Sequence, residues 1–339
     1  MKRVGGLFDK WCNIENFYGA LKDVQSGKTE HPSFIEFKSN ASFEIEQLVN
    51  EIKSGCYQTM PYRNFPVSTP KKRIISAPHL RDRLVQHAIM RVIGNIIDRR
   101  FIHHSYACRK KRGTTNCSLQ LVEYLKNFND EDWFLKIDIS KFFYSIPKHR
   151  LLKKYENIIK CKNTIKILKE FIFRNDFFNQ GEMQVYIDDS LVGICIGNYT
   201  AQIGANLTLN STDHFIKRTL KCKYYLRYMD DMIILDSNKD KLNYIFSEVT
   251  KFLHIEELKV NPKSGIGKLK QGVDFVGFRT WKNKRLIRKQ SLFRIRRSLK
   301  KGFNHNQVCS FLAHAKDTNS LNYIKNIIDK YKESSNVNS

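Results

Sequence analysis

Long apolar runs are missing from this 339-residue chain. None approaches the roughly 18 residues that a membrane-crossing helix needs. The first ten residues, Met1 to Lys10, lack the apolar centre of a secretory signal. The eight cysteines form no Cys-x-x-Cys pair, and no His/Cys spacing fits a zinc site. Thiols without a disulfide or zinc framework suit a reducing cytoplasm. Internal repeats and low-complexity linkers are absent as well. Acidic residues are scarce: 33 Asp and Glu face 59 Lys and Arg, a net charge of +26. Such an excess suits a polyanionic partner. The positive charge is clustered, with ten Lys/Arg and no acidic residue over 282–301. A second cluster is Arg109-Lys110-Lys111-Arg112.

Three of the carboxylates are placed where carboxylates are costly. Tyr228-Met229-Asp230-Asp231 lies between the apolar runs Tyr224–Leu226 and Met232–Leu235. Two like charges between buried strands repel, and an unpaired buried carboxylate is worse still. A divalent cation resolves the conflict, so the segment reads as strand, tight acidic turn, strand, with metal at the turn. An ordinary hairpin with Asp-Asp in its turn is the plainer alternative. The third carboxylate, Asp138, ends the strand-like run Trp133–Ile137 and precedes the aromatics Phe142, Phe143 and Tyr144. One carboxylate at a strand end and another in a neighbouring hairpin turn are what a palm-type polymerase requires. They would hold two Mg²⁺ ions roughly 3.5–4 Å apart for in-line displacement at phosphorus. Mg²⁺ keeps several waters, so few protein ligands suffice. Asp138 and Asp230 are the first candidates, with Asp231 as the third carboxylate.

The segments Leu135–Ile146 and Tyr228–Leu235 resemble the catalytic motifs of reverse transcriptases, and the resemblance runs in order from about Leu7 to about Lys301. Within that group, several stretches are most similar to the reverse transcriptases of diversity-generating retroelements. They are Ile75–Pro78, Arg81–Ala88, Ser105–Arg109, Ile196–Gln202 and Gly272–Phe278. Some bacterial antiphage-defence reverse transcriptases share similar blocks. The resemblance implies an α+β right-hand polymerase fold, with fingers and palm built on antiparallel sheet and a helical thumb. It divides the chain into an N-terminal helical extension over 1–57, fingers and palm over 58–280, a basic thumb over 281–332 and a frayed polar tail over 333–339. It implies two Mg²⁺ ions, with Mn²⁺ able to stand in. It also implies dNTP substrates, a template RNA with its RNA–DNA duplex, and a small basic helical accessory protein. The source would be bacterial or phage-encoded and the compartment cytoplasmic, with no membrane association.

Site residues carry over along the chain. Residues 61–80 read as the fingers hairpin, where Arg73 would meet the triphosphate assisted by Lys71 or Lys72. Arg suits that task through its planar donor fork and Lys as a point charge. Leu84, Val85, Ala88, Ile89, Val92, Ile93, Ile96 and Ile97 form a helical core stripe. Arg81 and Arg83 at its start would touch template or triphosphate, and Arg109 in the following basic loop would touch the template. Ile139 joins Asp138 in the metal and nucleotide sets. Phe143, five residues after Asp138, matches the aromatic gate that excludes a 2′-hydroxyl. This argues against an RNA-dependent RNA polymerase.

Ile196–Gln202 departs from common reverse transcriptases, many of which have Gln-Gly first and Ser-Pro last. Gly197 would allow close backbone approach to nucleotide or template. Ile196 replaces a polar side chain and so implies weaker geometric checking of the base pair. Gln202 follows the diversity-generating pattern, whereas Ala201 stands where most of its members have Ser. A helix is expected over 203–220, with Leu209, Ile216 and Leu220 on one face. Lys263, in Leu258–Lys263, matches a position where Lys protonates departing pyrophosphate. Phe275 and Gly277 fall in a primer-grip-like turn. Lys282–Lys301 reads as one basic helix with Leu292, Ile295, Leu299 and Phe303 inward, and with Arg294, Arg296 and Arg297 among the cations facing duplex backbone. The N-terminal stretch Phe43, Ile45, Leu48, Val49, Ile52 reads as a packing helix. Three functions stay open: a mutagenic retroelement polymerase, an antiphage-defence polymerase with a dedicated noncoding RNA, and a non-catalytic RNA-binding scaffold.

Overall fold

The helix Leu80–Asp98 forms where its apolar stripe demands one: Leu84, Val85, Ala88, Ile89, Ile93 and Ile97 are all fully buried. His79 caps its start by accepting from the Arg81 N–H at 3.4 Å. This computed structural model describes residues 2–25, 32–68, 73–174, 191–302 and 304–336. Lys71, Lys72, Phe303 and the last three residues of the polar tail lie outside the described residues. The chain divides into two units.

The first unit comprises Met1–His103, Ile139–Phe215 and Lys251–Lys259. The helix Ile14–Gln25 buries Phe17, Ala20, Leu21 and Val24 and packs against Leu80–Asp98. A further helix, Ala41–Ser54, buries Ile45, Leu48, Val49 and Ile52. It ends at Gly55, whose φ of +78° suits a left-handed helix cap. Phe43 does not share that buried face; it is 66% exposed, because it lies two residues before Ile45 and so on another side of the helix. Strands β1 (Arg63–Val67) and β2 (Arg73–Ala77) pair antiparallel, as expected of the hairpin over 61–80. The helix expected over 203–220 begins earlier, at Tyr199, and breaks at Leu209 into Tyr199–Thr208 and Asn210–His214. A single π turn, Phe215–Thr219, follows in the chain. Leu209 and Ile216 are buried, whereas Leu220 is half-buried beyond the helical residues.

The second unit comprises His104–Asp138, Ile216–Thr250 and Val260–Ser339. Its main sheet joins β3 (Trp133–Ile137), β4 (Tyr225–Tyr228), β5 (Asp231–Asp236) and β6 (Gly265–Lys268) in the order β4-β5-β3-β6, antiparallel throughout. Met232–Leu235 is buried on both faces of β5. A second sheet orders β7 (Val273–Phe275), β8 (Phe278–Trp281) and β9 (Lys284–Ile287). The expected single helix over Lys282–Lys301 is therefore corrected: β9 occupies its first part, and the helix is Lys289–Lys300. Four residues of β9 are too few to separate a two-residue period from a helical one when Lys and Arg surround both. Ile295 and Leu299 are buried in that helix and Leu292 partly so.

Candidate active site

Strand register brings two of the three carboxylates together. Ile137 pairs with Met232 across β3 and β5, so Asp138, one residue beyond, emerges beside Asp231. The β4–β5 hairpin closes on the pair Tyr228–Asp231, leaving Met229 and Asp230 as a two-residue turn. Met229 sits at φ +56°, a region that side chains other than glycine's seldom adopt. Its carbonyl accepts a 2.9 Å bond from Arg227 Nη1, and Arg227 is 0% exposed. A buried guanidinium thus braces the acidic turn from behind.

Asp138 is cradled by the segment before β6. Its N–H donates to Ser264 Oγ at 3.0 Å, and its carbonyl accepts from Asn261 N at 2.8 Å. Asn261 Nδ2 donates to Asp138 Oδ2 at 2.8 Å. One carboxylate oxygen is therefore oriented by an amide. Asp231 is less well served. Lys136 Nζ lies 3.3 Å from Asp231 Oδ2 and also donates to the Asp274 carbonyl at 2.7 Å. Asp231 Oδ1 is buried with no hydrogen-bond partner. Burial, reinforced by the neighbouring Asp138 charge and opposed by Lys136, pushes the Asp231 carboxyl up to about 7. A buried, unpaired oxygen next to a second carboxylate fits a divalent cation. Among the described residues no three His, Cys, Asp or Glu side chains converge into a ready-made cage. Mg²⁺ does not need one, because it retains waters and takes oxygens from its substrate. Asp230 is half-exposed in the turn. Lys263 is exposed, with its N–H donating to Asn261 Oδ1 at 3.0 Å.

The expected nucleotide residues described here lie in the first unit. Ile139 is buried, and Phe142 turns inward while Phe143 stays half-exposed, the two rings 5.8 Å apart and edge-on. Arg73 is exposed at the start of β2. Ile196 is half-buried, and its carbonyl accepts from Ser76 N at 2.8 Å. Gly197 has φ +134°, and a Cβ there would stand 2.3 Å from the Ser76 carbonyl oxygen. Glycine is therefore required by the approach of β2 itself. Gln86, 0% exposed, holds the other side of this loop. Its Nε2 donates to Asn198 Oδ1 at 3.2 Å, and its Oε1 accepts from Tyr199 N at 2.8 Å, capping the helix Tyr199–Thr208. Gln202 is half-buried in that helix's first turn.

Among the expected nucleic-acid contacts, Arg294, Arg296 and Arg297 are exposed on the helix Lys289–Lys300, Arg296 reaching Tyr323 Oη. Arg81 is ion-paired with Glu51, and Arg109 Nη1 donates to the Ser105 carbonyl at 2.7 Å. Arg83 is half-buried, which lowers its guanidinium from the ordinary value. Val276 and Gly277 form a two-residue turn with φ +43° and +94°, the geometry favoured by tight hairpins. The Phe275 ring points into the core at 0% exposure, so only the turn offers surface there. Lys136, Arg227, Gln86, Asn261 and Ser264 had no role assigned from the sequence. For Gln86 and Lys136 the available signal was a polar residue inside an apolar stripe or strand.

Mixed helix and antiparallel sheet with this palm-like arrangement define a right-hand polymerase fold. Apo telomerase from Candida tropicalis shares it at a TM-score of 0.51 and 13% identity, over 86% of this chain and 61% of that one. The family model described as reverse transcriptase (RNA-dependent DNA polymerase) matches residues 63–280, and the chain belongs to that family. A putative COX1/OXI3 intron 1 protein of Saccharomyces cerevisiae is 22% identical over 202 residues, 59% of this chain and 23% of its own length. The group II intron-encoded protein LtrA of Lactococcus lactis is 23% identical over 214 residues, 61% of this chain and 34% of its own. This chain thus spans well under half of either relative. No helix among the described residues is long and apolar enough to cross a membrane.

Proposed function

We propose that this protein is an RNA-directed DNA polymerase that copies a template RNA into cDNA by two-metal nucleotidyl transfer. The observation carrying this reading is the unpaired, buried Asp231 Oδ1 beside the amide-oriented Asp138. Asp138, Ile139, Asp230 and Asp231 would hold two Mg²⁺ ions, or Mn²⁺ in their place. When bound, the metals lower the pKa of the primer 3′-hydroxyl and neutralise the leaving pyrophosphate. Asn261 fixes the Asp138 carboxylate, and Lys136 offsets part of the Asp231 charge until metal binds. Phe143 gates the sugar of the incoming dNTP, and Arg73, with Lys71 and Lys72, receives its triphosphate. Lys263 supplies a proton to the leaving group. The turn at Gly277 steadies the primer end. Residues 58–280 act as fingers and palm, and 281–332 as the thumb.

The polymerase is error-prone and serves a diversity-generating retroelement, with a small basic accessory protein as partner. The support is the apolar Ile196 in a loop clamped by Ser76 and Gln86. The deciding experiment is primer extension on a defined RNA template with Mg²⁺ and dNTPs, sequencing every product, with Asp230→Ala as control. DNA with errors concentrated opposite template adenines is the expected outcome. Accurate DNA would sink the mutagenic reading and favour the defence role. No DNA with wild-type protein, native RNA and accessory protein together would sink catalysis.

A further inference from the structure

A second feature of the second unit lies apart from the carboxylates. Trp133 begins β3, and Asp138 follows five residues later, roughly 16 Å along the strand. At this far end, Lys239 Nζ and Lys268 Nζ each stand 4.9 Å from the centre of the Trp133 ring. Lys268 and Lys270 both bind Glu131. The Lys270 carbonyl accepts from Trp281 Nε1 at 3.1 Å, which links this shelf to the β8–β9 turn.

That turn forms one wall of a cleft of about 490 Å³, lined by Asn129, Asp130, Trp281, Lys282, Asn283 and Lys284. Its size suits a small ligand such as a nucleotide. Its chemistry suits one too. Trp281 is rigid: besides its indole hydrogen bond, its ring lies so close to Gly272 that a Cβ there would come within 2.4 Å of Cε2. Arg279 and Lys284 approach the ring centre at 5.4 and 5.8 Å. Lys282, Asn283 and Lys284 are exposed. Asn129, Asp130 and Asn283 offer both donors and acceptors to a base edge. An aromatic ring beside cations is the pairing that single-stranded nucleic-acid sites use.

We propose that this cleft and its lysine shelf bind an unpaired nucleic-acid strand outside the polymerising site. One base stacks on Trp281, and the flanking phosphates lie against Lys282, Lys284, Lys268 and Lys270. By the proposed function the strand is an uncopied part of the template RNA, although the binding itself requires no catalysis.

The test uses the full chain and a short unstructured RNA carrying one 4-thiouridine, with the same strand as DNA carrying 4-thiothymidine in a second arm. Crosslinks are mapped by peptide mass. The expected result is a crosslink within Arg279–Lys284. In K282E/K284E, affinity for the free strand falls about tenfold at low salt and its salt slope falls by about 1–2, as expected for two lost phosphate contacts. Trp281→Phe keeps most of the affinity, whereas Trp281→Ala, checked for folding by circular dichroism, loses it. The RNA and DNA arms show which strand supplies the ligand. Equal affinity of parent and K282E/K284E, or crosslinks confined to residues beyond Arg288, overturns the proposal. So does protection of Lys282 and Lys284 from acetylation by poly-glutamate but not by either strand, which would make the surface a protein-docking face. An inactive polymerase would leave every one of these binding results readable.

Discussion

At the scale of single residues, three positions carry consequences that differ in kind. Gly197 is a steric requirement: its φ of +134° and the 2.3 Å approach of a built Cβ to the Ser76 carbonyl leave no room for alanine. Gly197→Ala should cost about 1–3 kcal/mol in urea unfolding and raise the KM for dNTP. A wild-type midpoint and KM would show the loop to be more yielding than its geometry. Ile196 is a chemical choice: its side chain is apolar and supplies no hydrogen bond. Ile196→Gln should lower misincorporation opposite adenine, read by sequencing products; an unchanged error frequency would count against a role in fidelity. Asp231 is an electrostatic cost. Its carboxyl is raised from 3.8 to about 7 in the fold. Between those values the folded state binds more protons than the unfolded one, so stability falls as pH rises through that window. In EDTA, Asp231→Asn should flatten the fall in unfolding free energy between about pH 4 and about pH 7. A slope equal to the parent's would mean that other groups set the pH dependence.

At the scale of elements, the hairpin of β4 and β5 was legible because two apolar runs, Tyr224–Leu226 and Met232–Leu235, flank a short segment ending in Asp230-Asp231; the strand register narrows the turn to Met229-Asp230. Asp138 was legible for the same reason, ending a short apolar run. What places Asp138 was not legible: Asn261 and Ser264 are more than 120 residues away in sequence, and only the pairing of β3 with β6 brings them to it. The basic stretch over 282–301 misled for a physical reason. Lys and Arg reveal exposure but not period, so the four residues of β9 merged with the helix Lys289–Lys300. Phe43 misled in the opposite way, an aromatic taken as core that the helix Ala41–Ser54 turns to solvent. The cradle before β6 yields its own prediction. Removing a group that orients a metal ligand typically weakens metal affinity about 10–100-fold. Asn261→Ala should therefore raise the Mg²⁺ concentration for half-maximal extension by about that factor, with little change in dNTP KM at saturating metal. An unaltered Mg²⁺ titration would reduce Asn261 to a structural contact.

At the scale of the whole molecule, the net charge of +26 would draw in a polyanion before any residue touches a base. Each phosphate that a cation neutralises releases bound counterion, so affinity falls linearly in log–log form with salt, by roughly 0.7–0.9 per contact. Arg294, Arg296 and Arg297 are exposed on one helix, and the sequence of that helix holds no acidic residue to compensate them. If all three sit on duplex backbone, changing them together to Gln should lower the salt slope for an RNA–DNA duplex by about 2–3. Such contacts position the duplex without reading it, so the loss should be the same for duplexes of unrelated sequence. Two departures would separate the alternatives. A parental slope in the triple variant would move the duplex to other cations. A loss confined to one duplex sequence would mean that this helix reads bases, which side chains tracking only phosphates have no means to do.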